Sequence, residues 1–155
     1  MLDLFRRILP KDWAILPLRL ITGFGFAAHG YAKLSRGPGT FAATLSALGV
    51  PQPHLMAWVT TLVELIGGLS IMAGAFIIPF SIPLGIIMLV AMFSVHLQYG
   101  FSSIKLQGIT VSGAEFGPPG YEMNLLYIGA LLTLVLAGPG KLSPTRWRKR
   151  RPIVA

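Results

Sequence analysis

Seven ionisable or polar side chains lie within or beside strongly apolar segments of this sequence. They are Arg19, His29, Lys33, Glu64, His96, Glu122 and Asn124. A charged side chain in the middle of a membrane span costs at least about 2.5 kcal/mol on insertion scales, so such residues usually face a protein interior and find a partner. Imidazole nitrogens can relay protons, hydrogen-bond a quinone oxygen, or ligate haem or a metal. These seven residues are therefore the candidates for a substrate or quinone site or a proton pathway, and no catalytic residue is assigned.

The composition predicts that a membrane positions these side chains. Of 155 residues, 54% are hydrophobic and 12% charged, and the mean hydropathy is +0.69, whereas about 25% of residues are charged in soluble domains. We predict an all-α membrane protein in which one domain, residues 1–155, forms a bundle of four transmembrane helices. The expected spans are about 13–32, 54–77, 82–99 and 122–137, followed by a basic cytoplasmic tail at 141–155.

The connections between these spans are predicted from Gly, Pro and Ser. We expect a loop from Ser35 to Phe41 and then a semi-apolar stretch to Val50. Residues 76–83 read as a tight connection into the third span, and residues 100–121 as a long polar connection with a short strand near 109–111. The absence of cysteine excludes disulfides and Cys-ligated clusters within this chain.

The distribution of basic residues predicts the orientation of the bundle. Nine basic residues lie near the two termini, against Lys33, Arg36 and Lys105 on the opposite side. The positive-inside rule then places both termini in the cytoplasm. Because topology accounts for the basic ends, we expect no nucleic-acid partner.

Helix rise predicts two levels of polar residues. Arg19 lies roughly 9 Å above the inner boundary and Glu64 roughly 16 Å below the outer one, which brings them within roughly 5 Å of the same depth. They could pair, as a structural ion pair or with a ligand or proton role, unless Arg19 snorkels to the cytoplasm and frees Glu64.

A second polar group is expected near the outer face. His29 and Lys33 share a helix face, His96 lies at a similar depth, and Glu122 and Asn124 open the fourth span, so an outward-opening polar pocket is predicted. Glu122 could instead serve its helix dipole. The two histidines could hydrogen-bond backbone or water, serve quinone or protons, or ligate haem or a metal. Two histidines alone are weak metal candidates, so no firm metal site is assigned.

Three segments in this order resemble the DoxX family of small bacterial membrane proteins: RLITGFGFAAHGYAKL, ELIGGLSIMAG and YEMNLLYIGALLTLVLAGPGKLS. The resemblance implies a four-helix bundle in the bacterial inner membrane and an association with respiratory or sulfur redox chemistry, as in quinol oxidase or thiosulfate:quinone oxidoreductase subunits. The matching polar positions are Arg19, His29, Gly30, Lys33, Glu64, Glu122 and Ser143. Family members often have an acidic residue shortly after this serine, whereas Pro144 and Thr145 follow it here.

Three functions remain open at this stage. The leading hypothesis is an accessory subunit of a membrane redox system that contacts quinone or quinol, that is not catalytic alone, and for which haem or metal is not expected. The second is a structural subunit that packs on a larger membrane complex through Gly67, Gly68 and Gly74. The third is a small transporter or proton-conducting bundle. The expected partners are the lipid bilayer and other membrane protein subunits.

Overall fold

Residues 11–144 are described by a computed structural model. Most of the terminal basic residues on which the orientation prediction depends, and the predicted tail beyond residue 144, lie outside this range. Within it the chain forms five α-helices and one β-hairpin. The elements are α1 (Lys11–Arg36), α2 (Pro38–Ala47), α3 (Pro53–Ala73), α4 (Ile77–Ala91), β1 (Leu106–Thr110), β2 (Gly113–Phe116) and α5 (Glu122–Ala137).

Helices α1 and α3 pack closely because glycines line their contact. A Cβ added to Gly30 would lie 2.5 Å from the backbone nitrogen of Leu65, and one added to Gly23 would lie 2.7 Å from that of Met72. Gly68 on α3 is equally close to the α1 backbone. Small residues at such positions let two helix backbones approach. The pairs run in opposite directions along the chain, so α1 and α3 are antiparallel.

Helix α2 corrects the predicted loop at Ser35–Phe41. Pro38 occupies the first turn of this helix, where a missing backbone N–H does no harm. Ala42 and Leu45 of α2 are buried in a small cluster with Ala57 of α3. The first turns of α3 therefore pack on α2 rather than on α1. Gly30 of α1 lies beside Leu65 of α3, and the two helices are antiparallel. If that alignment continues, Pro53 lies about six residues, or about 9 Å, beyond the last residue of α1.

The connection between α3 and α4 is shorter than the sequence indicated. Gly74, at φ +74°, ends α3, ahead of the expected end at residue 77. Helix α4 begins at Ile77, ahead of the predicted start at residue 82. Pro79 does not prevent this earlier start, because it lies in the first turn, where proline is tolerated. A π-helical turn at Met92–His96 and a 3-10 turn at Leu97–Tyr99 continue α4.

The helices bury polar side chains and expose apolar ones. The buried polar residues are Arg19, Thr22, Thr61, Glu64, Ser81, Asn124 and Ser143. Large apolar side chains on the outer surface include Phe24, Trp58, Ile66, Ile82, Phe93 and Leu132. A smaller apolar core forms around Phe26, Ile71, Leu84 and Leu134, one from each of α1, α3, α4 and α5. This distribution suits a lipid environment, where exposed apolar surface carries no penalty.

Two of the described helical segments are long and apolar enough to cross a membrane, Pro53–Ala73 and Ile77–Tyr99. Helix α1 has 26 residues but carries Arg19 and Lys33. Helix α5 has 16 residues, or about 24 Å of length, which is less than the hydrocarbon core of about 30 Å. The ends of the described chain lie together, since Lys141 Nζ is 5.4 Å from the centre of the Trp13 ring.

Candidate functional site

An ion pair joins α1 to α3. Lys33 Nζ donates to both carboxylate oxygens of Glu64, at 2.7 Å to Oε1 and 2.6 Å to Oε2. The Glu64 side chain is 3% exposed and that of Lys33 is 22% exposed. A carboxylate with so little access to water needs a charged partner that stays hydrogen-bonded to it. The pair thus presents its cationic side to the surface and its anionic side to the interior.

The close approach of α1 and α3 positions this pair. Gly30 contacts the backbone of Leu65, the residue after Glu64, and Lys33 lies about one helical turn beyond Gly30. The side chain of Lys33 therefore reaches Glu64 directly. The predicted pairing of Glu64 with Arg19 is wrong. The predicted depth of Glu64 set Pro53 at the membrane boundary, whereas α3 begins past the end of α1. Glu64 therefore lies further along α1, at the level of Lys33.

The ion pair borders a cleft of about 260 Å³ between α1 and α2. Its lining residues are His29, Ala32, Lys33, Arg36, Gly37, Thr40, Phe41 and Thr44. Lys33 Nζ also lies 4.4 Å from the centre of the Phe41 ring, a distance at which the ring face attracts a cation. Sequence reasoning missed Thr40, Phe41 and Thr44 because residues 35–41 were predicted as a loop and the stretch from there to Val50 was not assigned to a helix. The Gly37–Pro38 pair, a start signal for a helix, could have revealed them.

Arg19 forms a second polar centre at the other end of α1, where the chain leaves α5. It is 2% exposed, so it does not snorkel to water. Its guanidinium donates to the carbonyl oxygens of Pro139, Lys141 at 3.2 Å and Leu142 at 3.4 Å. Its Nε is buried without a hydrogen-bond partner. Among the described side chains and carbonyls, the hydrogen-bond acceptors of this charge are backbone carbonyls.

The segment after α5 is shaped to bring these carbonyls together. Gly138, Gly140 and Leu142 all adopt positive φ, with Leu142 at +56°, a conformation that is uncommon for leucine. Ser143 is buried, and its hydroxyl donates to the Gly74 carbonyl at 2.5 Å. Residues 138–143 therefore lie across the ends of α1 and α3. Helix α5 ends at Ala137, the residue at which the fourth predicted span ends. The segment that follows supplies the hydrogen-bond acceptors of Arg19.

The remaining predicted residues do not join the cleft. His96 Nδ1 lies 3.0 Å from the Pro119 carbonyl oxygen, the backbone contact foreseen as one alternative. The Glu122 carboxylate accepts from the Ser103 backbone N–H at 2.9 Å, so it does not pair with Lys33 or His29. Buried Asn124 donates to the Met88 carbonyl at 3.2 Å and ties α5 to α4.

The predicted outer pocket is therefore wrong in extent. Of its expected members, the cleft contains His29 and Lys33 alone, because His96, Glu122 and Asn124 belong to α4, α5 and their connection. Across residues 11–144, no group of three or more His, Asp or Glu side chains could hold a metal ion. His29 lines the cleft while His96 contacts the connection before α5, so the two do not share a site.

The sequence model of the DoxX family matches residues 14–97, more than half of the chain. The chain belongs to the DoxX family. Neither a curated protein nor a solved structure matches it. The matched part of this DoxX chain contains Arg19, Lys33 and Glu64. The family and the two apolar helical segments identify the chain as a membrane protein. Glu122, Asn124 and Ser143 lie beyond the matched residues.

Proposed function

We propose that this DoxX chain is a subunit of a respiratory or sulfur redox system and that it holds the headgroup of a quinone or quinol in the cleft between α1 and α2. The observation that carries the proposal is the Lys33–Glu64 pair, a buried charge pair that opens on a cleft beside apolar outer surface. Charged residues are rare inside membrane-spanning segments, and those that occur there commonly belong to a substrate, ion or proton pathway.

The side chains of the cleft suit this ligand class. His29 and Lys33 can donate to the carbonyl oxygens of a quinone, and the Thr40 hydroxyl can donate or accept. Phe41 offers a ring face. Glu64 does not line the cleft; its carboxylate lies behind Lys33, which hydrogen-bonds to both of its oxygens. The cleft volume, about 260 Å³, is just below the 300–1,000 Å³ range of pockets that enclose a whole drug-sized ligand. It therefore suits a single-ring headgroup whose tail remains in lipid.

When bound, a quinone supplies two-electron, two-proton redox chemistry, and a partner subunit would supply the electrons. This chain would orient the headgroup, and the Lys33–Glu64 pair would hold or release a proton at the Glu64 carboxylate. Catalysis by the chain alone is not part of the proposal.

Binding of a short-chain benzoquinone to the purified protein in nanodiscs tests the proposal. His29→Leu, which removes the donor, should weaken binding at least about tenfold, because a tenfold change corresponds to about one lost hydrogen bond. His54→Leu is the matched control, since His54 is exposed at the start of α3 and lies outside the cleft. Absence of binding to the unmodified protein, or equal weakening by both substitutions, would rule out this site.

We further propose that α1, α3, α4 and α5 all cross the inner membrane, with both termini in the cytoplasm. The contact between Trp13 and Lys141 at one end of the bundle supports this proposal, as does the excess of basic residues near both termini. Helix α5, though short, can be accommodated by local thinning of the bilayer.

The absence of cysteine makes the orientation directly testable. Ser112→Cys at the exposed hairpin turn and Pro144→Cys after α5 each introduce a single thiol. An impermeant maleimide added outside intact spheroplasts should label the first and not the second. Labelling of both, or of the second alone, would contradict the proposed orientation.

A structural subunit is the second candidate, and a specific observation favours it. A Cβ added to Gly85 of α4 or Gly129 of α5 would meet nothing within 4 Å, so these glycines leave gaps on the bundle surface that a partner helix could fill. The glycines first suggested for this role, Gly67, Gly68 and Gly74, contact neighbours within the chain instead. Gly85→Leu and Gly129→Leu should release a co-purifying membrane complex while the isolated chain stays folded.

A further inference from the structure

The β-hairpin between α4 and α5 has one apolar and one polar face. Leu106 lies opposite Phe116 and Ile109 lies opposite Ala114, and directly opposed residues share a face. Ala114 and Phe116 are two residues apart, so they also share a face. All four side chains therefore lie together. The opposite face carries Gly108, Thr110, Gly113 and Glu115.

A register shift produces this separation. Leu106 and Ile109 are three residues apart, and in a regular strand they would point to opposite faces. The irregularity between Leu106 and Gly108 adds one residue to β1 and restores Ile109 to the face of Leu106. Without the bulge, the apolar residues of β1 would be divided between the two faces.

Nothing in the described part of the chain covers the apolar face. Leu106 is 58% exposed, Ile109 80% and Phe116 59%, and Val111 at the turn is fully exposed. An isolated two-stranded hairpin is marginally stable in water. A hairpin with three large exposed apolar side chains on one face should be stabilised by contact with something apolar.

The base of the hairpin is fixed to the helix ends. Gly117 N–H donates to the Lys105 carbonyl at 2.8 Å, and Gly120 N–H donates to the Ser102 carbonyl at 2.9 Å. At the start of α5, Glu122 N–H donates to the Phe101 carbonyl at 2.9 Å. These bonds continue the pairing of the two chain segments from the strands down to α4 and α5. The hairpin is therefore fixed to the bundle at the end where α4 and its continuing turns finish and α5 begins.

The geometry points to a lipid surface as the partner of the apolar face. The apolar face would lie in the interfacial layer of the membrane, on the side that the orientation proposed above makes the outer leaflet. The support for this placement is continuity along the chain with exposed apolar side chains of α4 and of the two turns that continue it: Val90, Phe93 and Leu97 are all exposed and precede the hairpin. Aromatic residues mark the same level. Tyr99 follows α4, and Phe101 packs edge-on against Tyr121, with ring centres 5.6 Å apart. Tyrosines concentrate at the headgroup level of membranes.

The charges of the hairpin agree with a lipid partner. Glu115 lies on the polar face, and Lys105 at the base has its Nζ 5.9 Å from the centre of the Tyr99 ring. A lysine beside a tyrosine can cover apolar surface with its stem while its ammonium reaches headgroups. The apolar face itself carries no charge. A peripheral apolar element of this kind enters the interface by about 5–10 Å.

Two adjacent residues on opposite faces give a matched test. Ile109→Cys and Thr110→Cys, each labelled with an environment-sensitive fluorophore, are examined in phosphatidylcholine–phosphatidylglycerol nanodiscs that hold one copy of the protein. Lipids with a nitroxide quencher on the acyl chain should quench the label at 109 at least about threefold more than that at 110, because only the apolar face enters the lipid. Aqueous iodide should show the reverse preference.

Each other result would overturn the proposal. Equal quenching of both labels by iodide would mean that the apolar face stays in water. Protection of the label at 109 from both quenchers would mean that protein covers it. Blue-shifted emission at 109 that appears only when nanodiscs hold two copies would identify a second copy of the chain as the partner. The outcome does not depend on quinone binding.

Discussion

Removing Lys33 should destabilise this protein more than neutralising Glu64. Lys33→Met leaves the Glu64 carboxylate, 3% exposed, buried without its partner, and breaking a buried pair in this way costs about 3–5 kcal/mol. Glu64→Gln leaves Lys33 with a side chain that is 22% exposed and still lies over Phe41. The ammonium can turn towards water, so we expect a loss of about 1–2 kcal/mol.

The two substitutions together should cost far less than their sum. The double variant buries no charge, and replacing a buried pair by uncharged groups is often close to neutral. A coupling free energy of about 3 kcal/mol is therefore expected from the double-mutant cycle. Reversible unfolding of the four proteins in mixed micelles measures it. Lys105→Met and Glu115→Gln, which change residues of the exposed hairpin region, are the controls and should lower stability by less than about 0.5 kcal/mol.

If Glu64→Gln costs as much as Lys33→Met, the burial difference between the two side chains does not govern the pair. If the coupling is below about 0.5 kcal/mol, the pair contributes no more than an ordinary surface salt bridge, and the structural argument for it fails.

Four further substitutions test other positions. Arg19→Lys should lower the free energy of unfolding by about 1–3 kcal/mol, because one ammonium cannot replace the guanidinium fork across several carbonyls; faster proteolysis after residue 138 measures the same loss. Gly30→Ala should cost about 1–3 kcal/mol through its clash with Leu65, whereas Gly85→Ala, in open space, should be neutral or stabilising in thermal unfolding. Asn124→Leu should cost about 1 kcal/mol by breaking its hydrogen bond to α4, and unchanged stability would show that this bond is dispensable.

The sequence indicated the helices better than their register. Long apolar runs and the Gly–Pro–Gly stop after residue 137 mark α3, α4 and the end of α5 directly. Helix α2 was missed because its first residues are Gly and Pro, which also occur in loops. That one omission shifted α3 along α1 in the predicted arrangement, since the turns of α3 that pack on α2 were assigned to the membrane interior.

The candidate site depended on that register. A helix face can be read from residue spacing, and on that basis His29 and Lys33 were correctly grouped. The partner of a charge cannot be read in the same way, because it depends on how far one helix slides along another. Arg19 shows a further limit: its hydrogen-bond acceptors are backbone carbonyls, and backbone acceptors carry no signature in the sequence.

The two charged centres of the bundle differ in what they can do. Arg19 is held by the backbone of a segment that ends α5, so its charge is fixed in place and its natural role is to join the ends of α1, α3 and α5. Lys33 and Glu64 are held by each other, so a ligand or a proton that competes for either member can separate them without unfolding a helix. The Lys33–Glu64 pair, whose members a ligand or a proton can separate, borders the cleft. Arg19, whose partners are fixed backbone carbonyls, lies away from the cleft. Function in this bundle is therefore expected at the Lys33–Glu64 pair, with Arg19 maintaining the helix packing on which that pair depends.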